Sequence, residues 1–190
     1  MSLSIAQRPT IVDRFIPKSI AVDIALIAAG VVLIAASAQW VIPMYPVPMT
    51  GQTFAVLLVA MALGFERGSL SVLAYVALGA AGLPIFNAGT SGFWSPTLGY
   101  KIGFIAAAAA VGFLAQRNWD KSWFKVAGAF AIGSVIIYAF GATWLSIFIG
   151  LGGGDNSVLT VLQLGVIPFL FGDLVKAVAA AALLPLAWAG

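Results

Sequence analysis

Cysteine and histidine are absent from the chain. Disulfides, thiol nucleophiles, haem held by histidine, zinc sites with His or Cys ligands and Ser-His-Asp triads are therefore excluded. Charge is scarce as well. Asp, Glu, Lys and Arg make up 8% of the 190 residues, against roughly a quarter in a soluble domain. No glycine-rich stretch runs into Lys-Ser or Lys-Thr, so the chain carries no phosphate loop and ATP hydrolysis must come from another polypeptide. The net charge is only +3, and the basic residues lie mainly between apolar segments, which argues against nucleic acid as a partner and for membrane orientation as their purpose.

What is present is apolar: 62% of residues are hydrophobic. This composition predicts an all-α integral membrane protein, a single transmembrane domain over residues 1–190 with room for about six helical spans. Residues 20–41, 98–115, 126–150 and about 168–188 are long enough to cross; 53–63 and 69–83 are apolar but short. Pro168 suits a first helical turn, where it lacks no needed donor. Segment 157–166 is apolar and reads equally as a re-entrant cap or an early start to the last helix. Residues 1–19 read as a polar cytoplasmic segment rather than a cleaved signal, because no apolar core is followed by a small-residue cleavage site.

With six spans and both termini inside, Arg8, Arg14, Lys18, Arg67, Arg117, Lys121 and Lys125 all fall on the inner side, and the outer connections carry no Lys or Arg. This asymmetry fixes the predicted orientation. Three charges remain in the spans: Lys101, Asp173 and Lys176. Asp173 and Lys176 are three apart and share a helical face. They read either as a structural ion pair or as a ligand site, the usual meaning of ionisable groups within a membrane. Lys101 has no acid to match it. It either snorkels to the interface or awaits a ligand of charge −1, such as a carboxylate.

Two outer connections are unusual. "PMYPVPMTGQT" holds Pro43, Pro46 and Pro48, which favour preformed extended backbone, and ends in Gln52. "GLPIFNAGTSGFWSPTLGYKIGF" combines glycines with Phe86, Trp94 and Tyr100 around Asn87. Tyr45, Trp94 and Tyr100 fit an interfacial aromatic belt or a ligand lid; Asn87 fits a turn residue or a ligand contact. Together these features predict an apolar, aromatic site with a few convergent polar groups just below the outer surface. Ala21, Ala25 and Ala29 recur every four residues on the first helix, a spacing that permits close helix approach, either within the bundle or against a partner.

The segments "PVPMTGQT", "GFERGSLSVLAYVALGAAGLPIFNAGTSG", "PTLGYKIGF" and "GVIPFLFGDLVKAVAAAAL", in this order across residues 21–184, resemble the BioY family. Its members are the biotin-binding S components of energy-coupling-factor (ECF) vitamin transporters in prokaryotic cell membranes. The resemblance implies a six-helix S-component bundle over residues 20–188. It implies biotin capture and transport without catalysis and without a cofactor, together with a membrane coupling subunit and ATP-binding cassette ATPases. It places biotin contacts on Asn87, Asp173 and Lys176 with a basic residue at Lys101, among the aromatic and polar lining of Phe86, Trp94, Tyr100, Tyr45 and Gln52. Which of Lys101 and Lys176 takes the biotin carboxylate stays open. By the same resemblance Ala21, Ala25 and Ala29 dock the coupling subunit. The competing readings are an S component for another vitamin and a small ion-coupled carrier that uses Asp173. Membrane-plane acid–base catalysis is disfavoured by the shortage of carboxylates.

Overall fold

The computed structural model describes residues 10–16 and 19–189; the orientation argument's Arg8 and Lys18 lie outside them. Helix α1 spans Ile20–Ala38 and is started by Ser19, whose hydroxyl accepts from the Val22 amide at 3.2 Å. It ends three residues short of the predicted Val41. The chain then forms an antiparallel ribbon of β1, Val41–Ile42, and β2, Met49–Thr50, with Val41 opposite Thr50. Prolines between the strands lack amide donors and keep the ribbon this short.

Helix α2, Gln52–Ala80, is folded in two at Gly64, whose φ of 80° and ψ of −171° are open essentially to glycine alone. A Cβ placed on Gly68 would lie 2.8 Å from the Ala60 Cα. Eight residues of straight helix would separate those positions by about 12 Å, so residues 52–63 and 65–80 run antiparallel in contact. A hydrogen bond from the Gln52 side chain to the Tyr75 hydroxyl joins the far ends of the two arms. The sequence placed a loop from Gly64 to Gly68; instead one glycine makes the turn and helix resumes at Phe65.

Helix α3, Leu98–Ala115, keeps its predicted bounds. Helix α4, Trp123–Leu151, starts three residues earlier than expected. Segment 157–166 resolves as a separate short helix, α5, Val158–Gly165, followed by α6, Ile167–Leu183, with proline in its first turn, and α7, Leu186–Ala189. Among the described residues five helices are long and apolar enough to cross a membrane, α2 being one of them. The core gathers Ile34, Leu57, Met61, Tyr75, Phe86, Ile137 and Leu145, all at most 2% exposed. Outward faces stay apolar: Phe171 is 78% and Leu174 61% exposed, as suits a surface solvated by lipid.

Most charges outside the site collect at the end of the bundle holding the Gly64 turn, Asp155 in the connection after α4 being an exception. Arg67 pairs with Asp13 at 2.6 Å and Asp23 at 3.1 Å. Asp23, an acid that span 20–41 also contains, is thus engaged at the helix entrance, far along the chain from the three charges singled out above. Burial acts to raise the Asp13 pKa, but hydrogen bonds from Thr10 and Arg67 outweigh it and hold the carboxyl below its usual range. Arg14 donates to the Trp188 carbonyl at 2.9 Å, and the Trp188 indole donates to Asp120 at 2.9 Å. Asp120 is 1% exposed; burial raises its pKa, only partly offset by the indole and Lys121.

Candidate functional site

At the opposite end, a cavity opens between the ribbon and helices α2, α3, α4 and α6. Each wall follows from local structure. The ribbon brings Val47, Pro48 and Thr50 over the start of α2, which supplies Gln52 and Thr53. The first turn of α3 supplies Lys101 and Tyr100, the middle of α4 supplies Tyr138, and α6 supplies Phe169, Asp173 and Lys176. Three of the residues with charged or acidic character in this cavity, Lys101, Asp173 and Lys176, are the three the sequence isolated.

Asp173 and Lys176 pair across one turn of α6, Nζ to Oδ1 at 3.0 Å. The Lys176 ammonium also donates to the Thr50 carbonyl at 3.1 Å and the Thr53 hydroxyl at 2.6 Å. An ammonium has three donors, so all three protons meet protein acceptors. Asp173 accepts further from the Tyr138 hydroxyl on Oδ2 and from Thr53 on Oδ1 at 3.4 Å. The pair is therefore embedded in a network that ties the ribbon, α2 and α4 to α6.

Lys101 is different. It is only 4% exposed, so it does not snorkel to the surface. Its Nζ lies 3.9 Å from the centre of the Phe86 ring and donates to the Ser95 hydroxyl at 3.3 Å. Among the described residues it makes no ion pair. The ring face and one hydroxyl compensate an ammonium only in part, and donor capacity remains.

The other predicted site residues divide. Tyr100 and Gln52 line the cavity, but both are held by the protein: Tyr100 donates to the Gly165 carbonyl at 2.8 Å, and Gln52 bridges Thr50 and Tyr75. Asn87 lines the cavity from a 3₁₀ turn, Asn87–Gly89. Phe86, 1% exposed, lies beneath Lys101 and edge-on to Tyr75 at 5.4 Å. Tyr45 is 92% exposed, and Trp94 packs on Trp144 and Phe148; these two and Phe86 stand outside the cavity lining. Ala21, Ala25 and Ala29 are exposed on α1, not packed into the bundle.

Tyr138, Thr50 and Thr53 escaped the sequence reading. Tyr138 is the signal that was there to be used, a phenol in the middle of a long apolar helix. Thr50 acts through its backbone carbonyl, for which side-chain chemistry leaves no trace.

Residues 9–190 match the model of the BioY family. The chain is 38% identical over 161 residues to the biotin transporter BioY of Thermotoga maritima, covering 82% of this chain and 90% of that protein. It is 36% identical over 158 residues to the probable biotin transporter BioY of Pyrococcus horikoshii, covering 83% and 91%. Its fold is similar to the crystal structure of the S component for biotin from an ECF-type ABC transporter, with a TM-score of 0.77 and 26% identity over 90% of this chain and 92% of that one. A hairpin-folded apolar bundle with a charged cavity at one end, matched over nearly its whole length, places this chain in the BioY family.

Proposed function

We propose that this protein is the substrate-binding S component of a biotin uptake transporter, a carrier and not an enzyme. It captures biotin at the cavity and passes it across the membrane together with a coupling subunit and ATP-binding cassette ATPases. Both arms of α2 cross the bilayer, giving six spans. The arginine and lysine bias of the connections puts the Gly64 end and both termini in the cytoplasm and the cavity at the outer face of the plasma membrane. Ala21, Ala25 and Ala29, exposed on α1, present a small-residue face for the coupling subunit.

Biotin has a ureido ring with two N–H donors and one carbonyl acceptor, and a valerate tail ending in a carboxylate. Asp173 accepts from a ring N–H, Asn87 donates to the ring carbonyl, and Lys176 holds the Asp173 carboxylate and the ribbon in place. Lys101 takes the tail carboxylate. The observation that carries this reading is the buried Lys101 residue, its ammonium short of acceptors, in the same cavity as the Asp173–Lys176 pair. Lys176 has spent its donors on Thr50, Thr53 and Asp173, so Lys101 is the better seat for an anion.

Calorimetric titration of purified, ligand-depleted protein with biotin, with thiamin and riboflavin as controls, tests the reading. Saturable one-to-one binding of biotin alone is expected. A folded sample that ignores biotin would overturn the assignment.

A further inference from the structure

The polar network around Asp173 contains one member that the family reading leaves without a role. Tyr138 stands near the middle of α4, Trp123–Leu151, lines the cavity, and donates its phenolic hydrogen to Asp173 Oδ2. The other carboxylate oxygen, Oδ1, receives Lys176 at 3.0 Å from the same helix and Thr53 at 3.4 Å from α2. Lys176 and Thr53 thus hold one oxygen and leave the plane of the carboxylate to be set by the other. Only Tyr138 reaches that one among the described residues. A carboxylate accepts about four hydrogen bonds; three are taken, two of them on Oδ1.

We infer that Tyr138 is a positioning residue for ligand recognition: it fixes the Asp173 carboxylate so that one acceptor site, on Oδ2, faces a donor on the ligand. The inference rests on the biotin reading and deepens it, because it names what makes Asp173 selective for an N–H group. The phenol's proton is committed to the carboxylate, so Tyr138 offers nothing to a competing carbonyl at this point. A ligand head that presents a carbonyl there meets acceptors only and is refused. The phenol also delivers a hydrogen bond to a charged acceptor from a rigid ring, with one rotatable hydroxyl, so little order has to be gained on binding.

The test is a double-mutant cycle with biotin as the probe, measured by calorimetry on the full chain in detergent, with melting temperatures recorded alongside. Tyr138→Phe keeps the ring and removes the hydrogen bond. The expected loss of biotin affinity is about tenfold or more, the range of a hydrogen bond to a charged group. In an Asp173→Ala background the same substitution changes affinity less than about twofold, because the residue through which it acts is gone. A loss of equal size in both backgrounds would show that Tyr138 acts by itself or through general loosening, and would overturn the inference. So would an unchanged affinity in Tyr138→Phe. Should Asp173→Ala prove unfolded, Asp173→Ala combined with Lys176→Met closes the cycle, since it removes the acceptor of the phenol without leaving a buried ammonium unpaired. Failure of the unmutated protein to bind biotin would instead overturn the biotin reading, and this inference with it.

Discussion

Lys101 allows the sharpest test of the tail assignment. Lys101→Met replaces the ammonium by an unbranched apolar chain that still fills the space beside Phe86. The residue is 4% exposed, and its ammonium holds the Ser95 hydroxyl and the Phe86 ring face. Two unit charges 4 Å apart attract by about 4 kcal/mol at an effective dielectric near 20. Desolvating the carboxylate takes back part of this, and truncating one partner of a buried charge pair costs about 2–5 kcal/mol in measured complexes. At 1.4 kcal/mol per decade, biotin affinity falls at least about thirtyfold. Biotin amide has no charge and loses only an ordinary hydrogen bond, about 0.5–1.5 kcal/mol or two- to twelvefold. Removing a buried ammonium that is only partly compensated also relieves the ligand-depleted protein, so Lys101→Met melts no lower than the parent. Calorimetry with both ligands and a melting curve measure the three quantities. Equal losses for acid and amide would refute the reasoning and move the carboxylate to Lys176.

Three other perturbations separate site from scaffold. Asp173→Asn keeps the shape of the side chain but leaves Lys176 without its charge partner; biotin affinity drops at least about tenfold, and an unchanged titration would remove Asp173 from the ring contacts. Gly64→Ala forces a Cβ into backbone space open to glycine and towards Thr10, whose methyl would lie 2.7 Å away; the expected destabilisation is about 1–3 kcal/mol, read by thermal melting, with biotin affinity retained in the folded fraction. Asp120→Asn tests the opposite end. Burial raises the Asp120 pKa above 3.8 in the folded protein, so the folded state binds the extra proton and stability falls as pH rises through that window. The amide escapes this penalty, so the variant is more stable than the parent at pH 7 and the advantage disappears near pH 3.8; a constant difference across the titration would refute it.

The sequence made the membrane class, the bounds of α3 and the three site charges legible because each rests on local composition or on a rare residue in an apolar setting. The turn in α2 falls within the expected connection but is shorter than expected, for a physical reason. Glu66 and Arg67 looked like loop residues, yet the reversal needs a single positive-φ glycine and the charges sit in the helix that follows, where Arg67 reaches Asp13 and Asp23. The ribbon at Val41 and Met49 is two residue pairs long, below the length at which alternation can be read. Tyr45 and Trp94 shared the composition of a lid with Phe86 and Tyr100, but only packing decides that Tyr100 lines the cavity, that Phe86 is buried beneath Lys101 outside the lining, and that Tyr45 and Trp94 stand away from it. Tyr138 and the Thr50 carbonyl join Asp173 and Lys176 across 35 and 126 residues, a relation no window along the chain contains.

The clasp between Arg14 and Trp188 has a bearing on how the protein is made. Its partners are 174 residues apart, so this contact closes almost the whole chain into a loop and cannot form until α6 has been synthesised and inserted. Asp13, by contrast, pairs with Arg67 of α2 at 2.6 Å, a contact available as soon as the first hairpin is made. Locking of Arg14 is then a late event in biogenesis, set by the arrival of the C-terminal helix. Shortening the chain before Trp188 should leave an inserted bundle in which the chain at Arg14 is open to proteases, a fault in maturation with the ligand cavity intact.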